Sequence, residues 1–156
     1  MKITPGQHAP DFSLYDSEKN KITLSELRGH NVLLLFFPAA FTGTCTKELC
    51  SARDNIAFYN DTNTKVFGIS VDMIYSLSKY KQEQGLNFPL LSDFNKEVSA
   101  RYGCLYDTFS YEMRGVSKRA AFVIDKNGIV RYSEVLEQAS RLPDFPTIQK
   151  ILQSLN

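Results

Sequence analysis

Neither sign of charge prevails in this chain, and no long apolar run interrupts it. Lysine and arginine number 18 against 17 acidic residues, for a formal net charge of +1. That balance removes the electrostatic case for nucleic acid or an anionic membrane as partner. The longest apolar stretch, Val32 to Phe41, has ten residues and contains Pro38, too short to cross a bilayer. The N-terminal MKITPGQHAPDF lacks the apolar segment of a secretory signal, so the expected location is the cytoplasm. Histidine is scarce too. Neither His8 nor His30 stands at ligand spacing from a cysteine pair, so no metal is expected. GxGxxG, Walker, GxSxG and HExxH motifs are absent, which leaves nucleotide, serine-hydrolase and zincin readings without their signatures. Three cysteines, an odd and low count, argue against a secreted disulfide scaffold.

What the chain has is enough apolar residue, 43% of 156 positions, to bury one core, and residues 1–156 are expected to form one domain. Residues 11–15 and 21–24 alternate around a polar DSEKNK and predict a hairpin. NVLLLFF (31–37) and KVFGISVD (65–72) are apolar enough to be strands buried on both faces. A helix is predicted from Thr44 to Tyr59, with Leu49, Ala52, Ile56 and Tyr59 on one stripe, and another from Ile74 to Gln84, stopped by Gly85. FPLLSD (88–93) reads as a connector, and Asn95 to Tyr102 as a short helix. AAFVIDKNGIVRYSEVL reads as two strands joined at Asn127-Gly128, and residues 144–155 as a closing helix. The order β-α-β-α-β-β-α predicts an α/β, thioredoxin-like fold: a central mixed sheet, flanking helices and an N-terminal β-hairpin.

The chemistry concentrates in FFPAAFTGTCTKELC, residues 36–50. Cys45 falls where a strand has ended and a helix begins. The unpaired N–H groups and partial positive charge of a helix start favour a thiolate. Pro38 and Gly43 shape the preceding loop, and Thr42 brings a hydroxyl near the sulfur. Backbone N–H groups around Gly43 to Cys45 suit an anion or a polarised oxygen. Against this stands the bland alternative that Cys45 is a small buried hydrophobe, four residues before Leu49 on the core stripe.

Pro38-x-x-x-Thr42-x-x-Cys45 resembles the peroxiredoxin active-site signature. The longer match is similar to the subgroup spanning the one-cysteine AhpE-type and the PrxQ (bacterioferritin-comigratory) enzymes. RAAFVIDKNGIVRY (119–132), FPLLSD and the Tyr102-Gly103 pair extend the resemblance over nearly the whole chain. It implies a thiol-dependent peroxidase that reduces hydrogen peroxide and organic hydroperoxides through a Cys45 sulfenic acid, without metal, haem or flavin. Cys45 is the implied peroxidatic cysteine. Thr42 is to hydrogen-bond peroxide and sulfur, Pro38 to shield the thiolate, Arg119 to stabilise it and the departing oxygen, and Glu48 to orient an arginine. For Arg119 the ordinary alternative is a solvated charge beside a strand, with Arg114 and Lys118 close by. For Glu48 it is simple favour at a helix start.

Cys50 matches the PrxQ-type resolving position, whereas its flanking sequence looks AhpE-like. On a regular helix, residues five apart lie about 140° around the axis and about 8.7 Å apart at Cα. A disulfide needs about 7 Å or less. Resolution by Cys50 therefore requires the first helical turns to unwind. Cys104 reads as a packed small residue, with a back-up resolving role as the alternative. The resemblance further implies thioredoxin or a related thiol as reductant, and a homodimer through loops near the site, with Phe41 and Phe109 as candidate contacts. One alternative is an AhpE-like enzyme resolved by an external thiol. Another is a non-catalytic redox sensor. A thioredoxin-like reductase is opposed by the absence of CxxC and of any proline between Leu90 and Leu142.

Overall fold

A computed structural model describes residues 2–156. The hairpin β1 (Ser13–Tyr15) and β2 (Lys21–Thr23) precedes β3 (Asn31–Phe36), α1 (Gly43–Asp54), α2 (Ile56–Asp61), β4 (Thr64–Ser70) and α3 (Ile74–Gln84). Then come β5 (Leu90–Ser92), α4 (Glu97–Arg101), β6 (Arg119–Ile124), β7 (Val130–Leu136) and α5 (Phe145–Ser154). Five strands form one sheet in the order β5-β4-β3-β6-β7. β3, β4 and β5 run parallel, while β6 is antiparallel to both β3 and β7. This is the thioredoxin-like arrangement that the sequence predicts. Among the described residues no helix is long and apolar enough to cross a membrane.

β3 is apolar throughout because both its faces are covered. Leu33 and Leu35 point to one cluster, with Leu49, Ala52, Tyr80 and Ile148. Val32, Leu34 and Phe36 point to the other, with Phe12, Tyr102 and Phe122. The period-2 alternation of a strand thus divides the interior in two. Cys45 belongs to the first cluster and Cys104 to the second. Gly68 in β4 lets the layers approach closely, since a Cβ there would meet Leu90 Cδ2 at 2.7 Å.

Three expectations need correction. The helix from Thr44 does not run unbroken to Tyr59. It stops at Asp54, and Asn55 leaves helical geometry with φ −111° and ψ 19°. Its side-chain Nδ2 donates to the Ser51 carbonyl at 2.9 Å, a local bond that competes with the helical ladder. The stripe Leu49, Ala52, Ile56, Tyr59 continues across the break, which is why periodicity hides it. Residues 88–93 are not merely a connector, because Leu90–Ser92 pairs with Gly68–Ser70. The strand read over 65–72 ends at Ser70, leaving Asp72 in the turn beyond it. Gly85, by contrast, does end α3, in the left-handed conformation with φ 59°.

Candidate active site

The site lies at the carboxyl ends of β3 and β4, where open α/β sheets present their ligand-binding loops. β3 delivers the chain to Pro38, which is buried, and then to the loop 39–42. Phe41 adopts φ 66°, a left-handed conformation that costs a non-glycine residue free energy and is kept only where the surroundings over-determine it. Thr42 precedes the helix with extended geometry but does not cap it. Its Oγ1 donates backward, to the Ala39 carbonyl, at 2.7 Å. The first-turn N–H groups of Gly43, Thr44 and Cys45 are therefore not taken by the Thr42 side chain, and these three residues line the cleft at the sulfur.

Cys45 is 2% exposed, and α1 and β6 meet at its sulfur. Arg119, the first residue of β6, is 1% exposed. Its Nη2 donates to Cys45 Sγ at 3.3 Å and to the Ala139 carbonyl at 2.8 Å. Nε reaches the same carbonyl at 3.2 Å, and Nη1 donates to Glu48 Oε1 at 2.6 Å. Burial opposes charge on Arg119, but Glu48 and Cys45 beside it outweigh burial and push its pKa up. Lys118 turns away to Glu137 at 2.6 Å, and Arg114 is exposed. Of the three cations near the strand start, only Arg119 meets the sulfur.

Glu48 lies one turn along the same helical face as Cys45 and is fully buried. Burial, partly offset by Arg119, pushes its carboxyl up to about 8. Its Oε2 has no hydrogen-bond partner among the described residues.

Above the sulfur opens a cleft of about 250 Å³, lined by Pro38, Thr42, Gly43, Cys45, Phe109 and Arg119, with Ala139 and Ser140 at one side. The structure therefore brings together Pro38, Thr42, Cys45, Glu48 and Arg119. A peroxide is small enough for this cleft. A buried sulfur, a fixed cation and oriented N–H groups are the elements that stabilise charge as an O–O bond breaks.

The other cysteines lie apart from it. Cys50 is half-buried on α1, its Sγ 3.9 Å from Gln84 Oε1 of α3. Cys104 is fully buried on the opposite side of the sheet. Burial pushes its thiol up to about 12, so it is a poor nucleophile near neutral pH. The back-up resolving role weighed for Cys104 finds no support in this placement. All three cysteines are free.

Four participants escape a reading of motifs. The Ala139 carbonyl anchors Arg119, but a backbone group leaves no mark in side-chain sequence. Thr46 Oγ1 donates to the Thr42 carbonyl at 2.7 Å and lies 2.8 Å from the Tyr80 hydroxyl of α3. Burial pushes the Tyr80 phenol up to about 12. It therefore keeps its proton and donates to Thr46, whose one hydrogen is already spent. The Tyr80 ring also packs on Phe41, centroids 5.1 Å apart. Asp72, whose place just past a parallel strand was a readable signal, accepts from the Ala40 N–H at 2.8 Å.

Comparison with known proteins adds identity to this geometry. The model of the AhpC/TSA family matches residues 5–133. Alkyl hydroperoxide reductase E of Mycobacterium tuberculosis is 39% identical over 136 residues, covering 85% of this chain and 86% of that protein. A putative peroxiredoxin of the same organism is 40% identical over 129 residues, covering 81% and 82%. The crystal structure of peroxidoxin BcpB from Mycobacterium tuberculosis superposes with a TM-score of 0.87 at 28% identity and covers 99% of each chain.

Proposed function

We propose a residue-level mechanism from one premise: the chain belongs to the AhpC/TSA family and is a peroxiredoxin, an enzyme that reduces peroxides with electrons from a thiol. In this mechanism the whole chain acts as one catalytic domain and Cys45 is the nucleophile. The observation that carries it is the 3.3 Å contact from Arg119 Nη2 to Cys45 Sγ at the floor of the cleft. A cation held there favours the thiolate, and two further anchors, Glu48 and Ala139, keep it from moving.

Peroxide enters over Pro38, which keeps water from the sulfur. The Thr42 hydroxyl has given its hydrogen to Ala39, so it meets the substrate with lone pairs and accepts the peroxide O–H. The Cys45 thiolate attacks the near oxygen and the O–O bond breaks. The sulfur, oxidised by two electrons, becomes a sulfenic acid. The departing oxygen, reduced, takes a proton and leaves as water or alcohol. Arg119 and the first-turn N–H groups stabilise the charge that moves between the oxygens.

Cys50 then resolves the sulfenic acid. Its thiolate displaces the sulfenic oxygen, which leaves as water after protonation, and a Cys45–Cys50 disulfide forms. Both cysteines lie on α1, whose regular geometry keeps them too far apart. The first turns must open, as the less stable parts of a fold can do. Thioredoxin or a related thiol protein then reduces the disulfide. Phe41, 54% exposed, supports a homodimer contact near the site, with Phe109, which lines the cleft, as the second candidate contact.

The assignment of Cys50 is tested with Cys50→Ser. Its first oxidation by peroxide should match wild type. The sulfenic acid should then persist and pass on to sulfinic acid with excess peroxide, while turnover with thioredoxin falls. Peptide mapping of oxidised wild type should find Cys45 joined to Cys50. A Cys45 sulfenic acid beside a reduced Cys50 would instead establish the one-cysteine mechanism with an external thiol.

Opening of α1 has an identifiable restraint in Tyr80, which ties Thr46 to α3. Tyr80→Phe removes one hydrogen bond of about 1 kcal/mol while keeping the ring against Phe41. Disulfide formation after a peroxide pulse should speed up by as much as about fivefold. The fraction over-oxidised at high peroxide should fall. Rapid-quench mass spectrometry reads both, and an unchanged disulfide rate would remove Tyr80 from the opening step.

A further inference from the structure

We propose that Asp72 is a positioning residue of the peroxidase site and sets the Thr42 hydroxyl through the peptide group between Ala39 and Ala40. The inference rests on the role given above to Thr42. The Ala40 N–H donates to Asp72 Oδ2 at 2.8 Å. The Ala39 carbonyl, the other end of the same peptide group, accepts Thr42 Oγ1–H at 2.7 Å. A peptide group is planar and stiff, so aiming its N–H aims its C=O as well. A carboxylate on the N–H side makes that bond charge-assisted. It also polarises the amide, which strengthens the carbonyl as an acceptor.

The consequence falls on the one hydrogen of Thr42. While Ala39 holds it, the cleft sees only the lone pairs of the hydroxyl, and Thr42 acts as an acceptor toward peroxide. With the Ala39 carbonyl released, the hydroxyl is free to rotate and offer its hydrogen to sulfur or water instead. The loop needs such a restraint, because Phe41 stands between the two partners at φ 66° and does not hold that conformation unaided.

Asp72 is itself fixed to the sheet. The Ser70 hydroxyl donates to the same Oδ2 at 2.7 Å and accepts from the Asp72 N–H at 3.2 Å. The Asp72 carbonyl accepts from the Ser92 hydroxyl at 2.6 Å. Ser70 closes β4 and is fully buried, and Ser92 closes β5. The ends of two parallel strands thus hold the carboxylate, the carboxylate holds the peptide, and the peptide holds the hydroxyl. Asp72 is not among the residues that line the cleft, so its effect on the reaction passes through Thr42.

A double-mutant cycle tests this, read as the second-order rate of Cys45 oxidation by hydrogen peroxide in stopped flow. Asp72→Ala should slow oxidation about tenfold in an otherwise wild-type chain, from the loss of a charge-assisted bond. In a Thr42→Val background the same change should cost less than about twofold, because no hydroxyl remains to be set. Alkylation of reduced Cys45 by iodoacetamide needs no acceptor from Thr42, and should stay within about twofold in every variant. Asp72→Asn keeps an acceptor for the Ala40 N–H without the charge, and should run about threefold faster than Asp72→Ala. If Asp72→Ala does not fold, Asp72→Asn carries the cycle, with a loss of about threefold in wild type and none beside Thr42→Val. Equal slowing in both backgrounds, or equal slowing of oxidation and alkylation, would show a merely structural role and overturn the inference. Should Thr42→Val slow oxidation while neither Asp72 variant does, only the inference fails. Should Thr42→Val itself leave the rate unchanged, the role of Thr42 falls and the inference falls with it.

Discussion

Cys45→Ser is expected to abolish peroxide consumption. The substitution is nearly isosteric, and Arg119 Nη2, which donates to Sγ at 3.3 Å, can donate to a serine hydroxyl instead, so the fold should survive. The chemistry should not. A serine side chain neither ionises near neutral pH nor accepts an oxygen atom, so the two-electron step has no reductant. Loss of a nucleophile that works as a unit with its activating groups can cost on the order of 10⁶ in rate. The residual rate should therefore be that of free peroxide with the thiol reductant. Peroxide consumption followed in the presence of dithiothreitol measures it, and intact mass should show no oxygen added at residue 45. Turnover at the wild-type level with Cys50 or Cys104 oxidised would move the nucleophile elsewhere.

Arg119→Met is expected to slow Cys45 oxidation by about 10²–10³, the usual loss when one preorganised donor leaves a site where charge develops. Stability is a confounding effect here. Glu48 is fully buried and Arg119 is its partner at 2.6 Å. Removing one member of such a pair typically costs about 3–5 kcal/mol. The double variant Glu48→Gln/Arg119→Met separates the two effects. It leaves no buried carboxylate to be desolvated, so the urea midpoint should move back toward wild type. The slow oxidation should remain, because the donor to the sulfur is still missing. If the double variant recovers both stability and rate, Arg119 is a structural partner of Glu48 and not part of the chemical step.

What the sequence discloses depends on how local the cause is. β3 is legible because burial on both faces demands an unbroken apolar run, and α3 because Gly85 supplies the left-handed residue that ends it. β5 is not legible. Three residues cannot display a period, and Leu90–Ser92 is a strand only because β4 offers a free edge beside it. The site divides in the same way. Pro38, Thr42 and Cys45 are neighbours in one loop, so their spacing is itself the signal. Arg119 and Glu48 are found through a family pattern, since 71 positions separate them and only the pairing of β6 with β3 brings them together. The Ala139 carbonyl was beyond reach, because any residue at that position presents the same oxygen. Asp72 carries a legible signal, an acidic residue just after a parallel strand, but the apolar pattern of KVFGISVD extends the apparent strand two residues beyond its end at Ser70 and hides the turn.

The distance along the chain between the sulfur and its cation bears on when this protein becomes vulnerable. Cys45 and Arg119 are 74 positions apart, and synthesis proceeds at about 5–20 residues per second. On the roles proposed here, a growing polypeptide carries its thiol for about 4–15 s before the arginine exists, and longer before β6 can dock. Through that interval the sulfur is an ordinary cysteine, slow toward peroxide. Oxidant present in the cell thus meets a dull thiol on every unfinished copy and a sharp one only on finished copies. On those roles, fast oxidation of Cys45 is confined to molecules in which β6 has already docked.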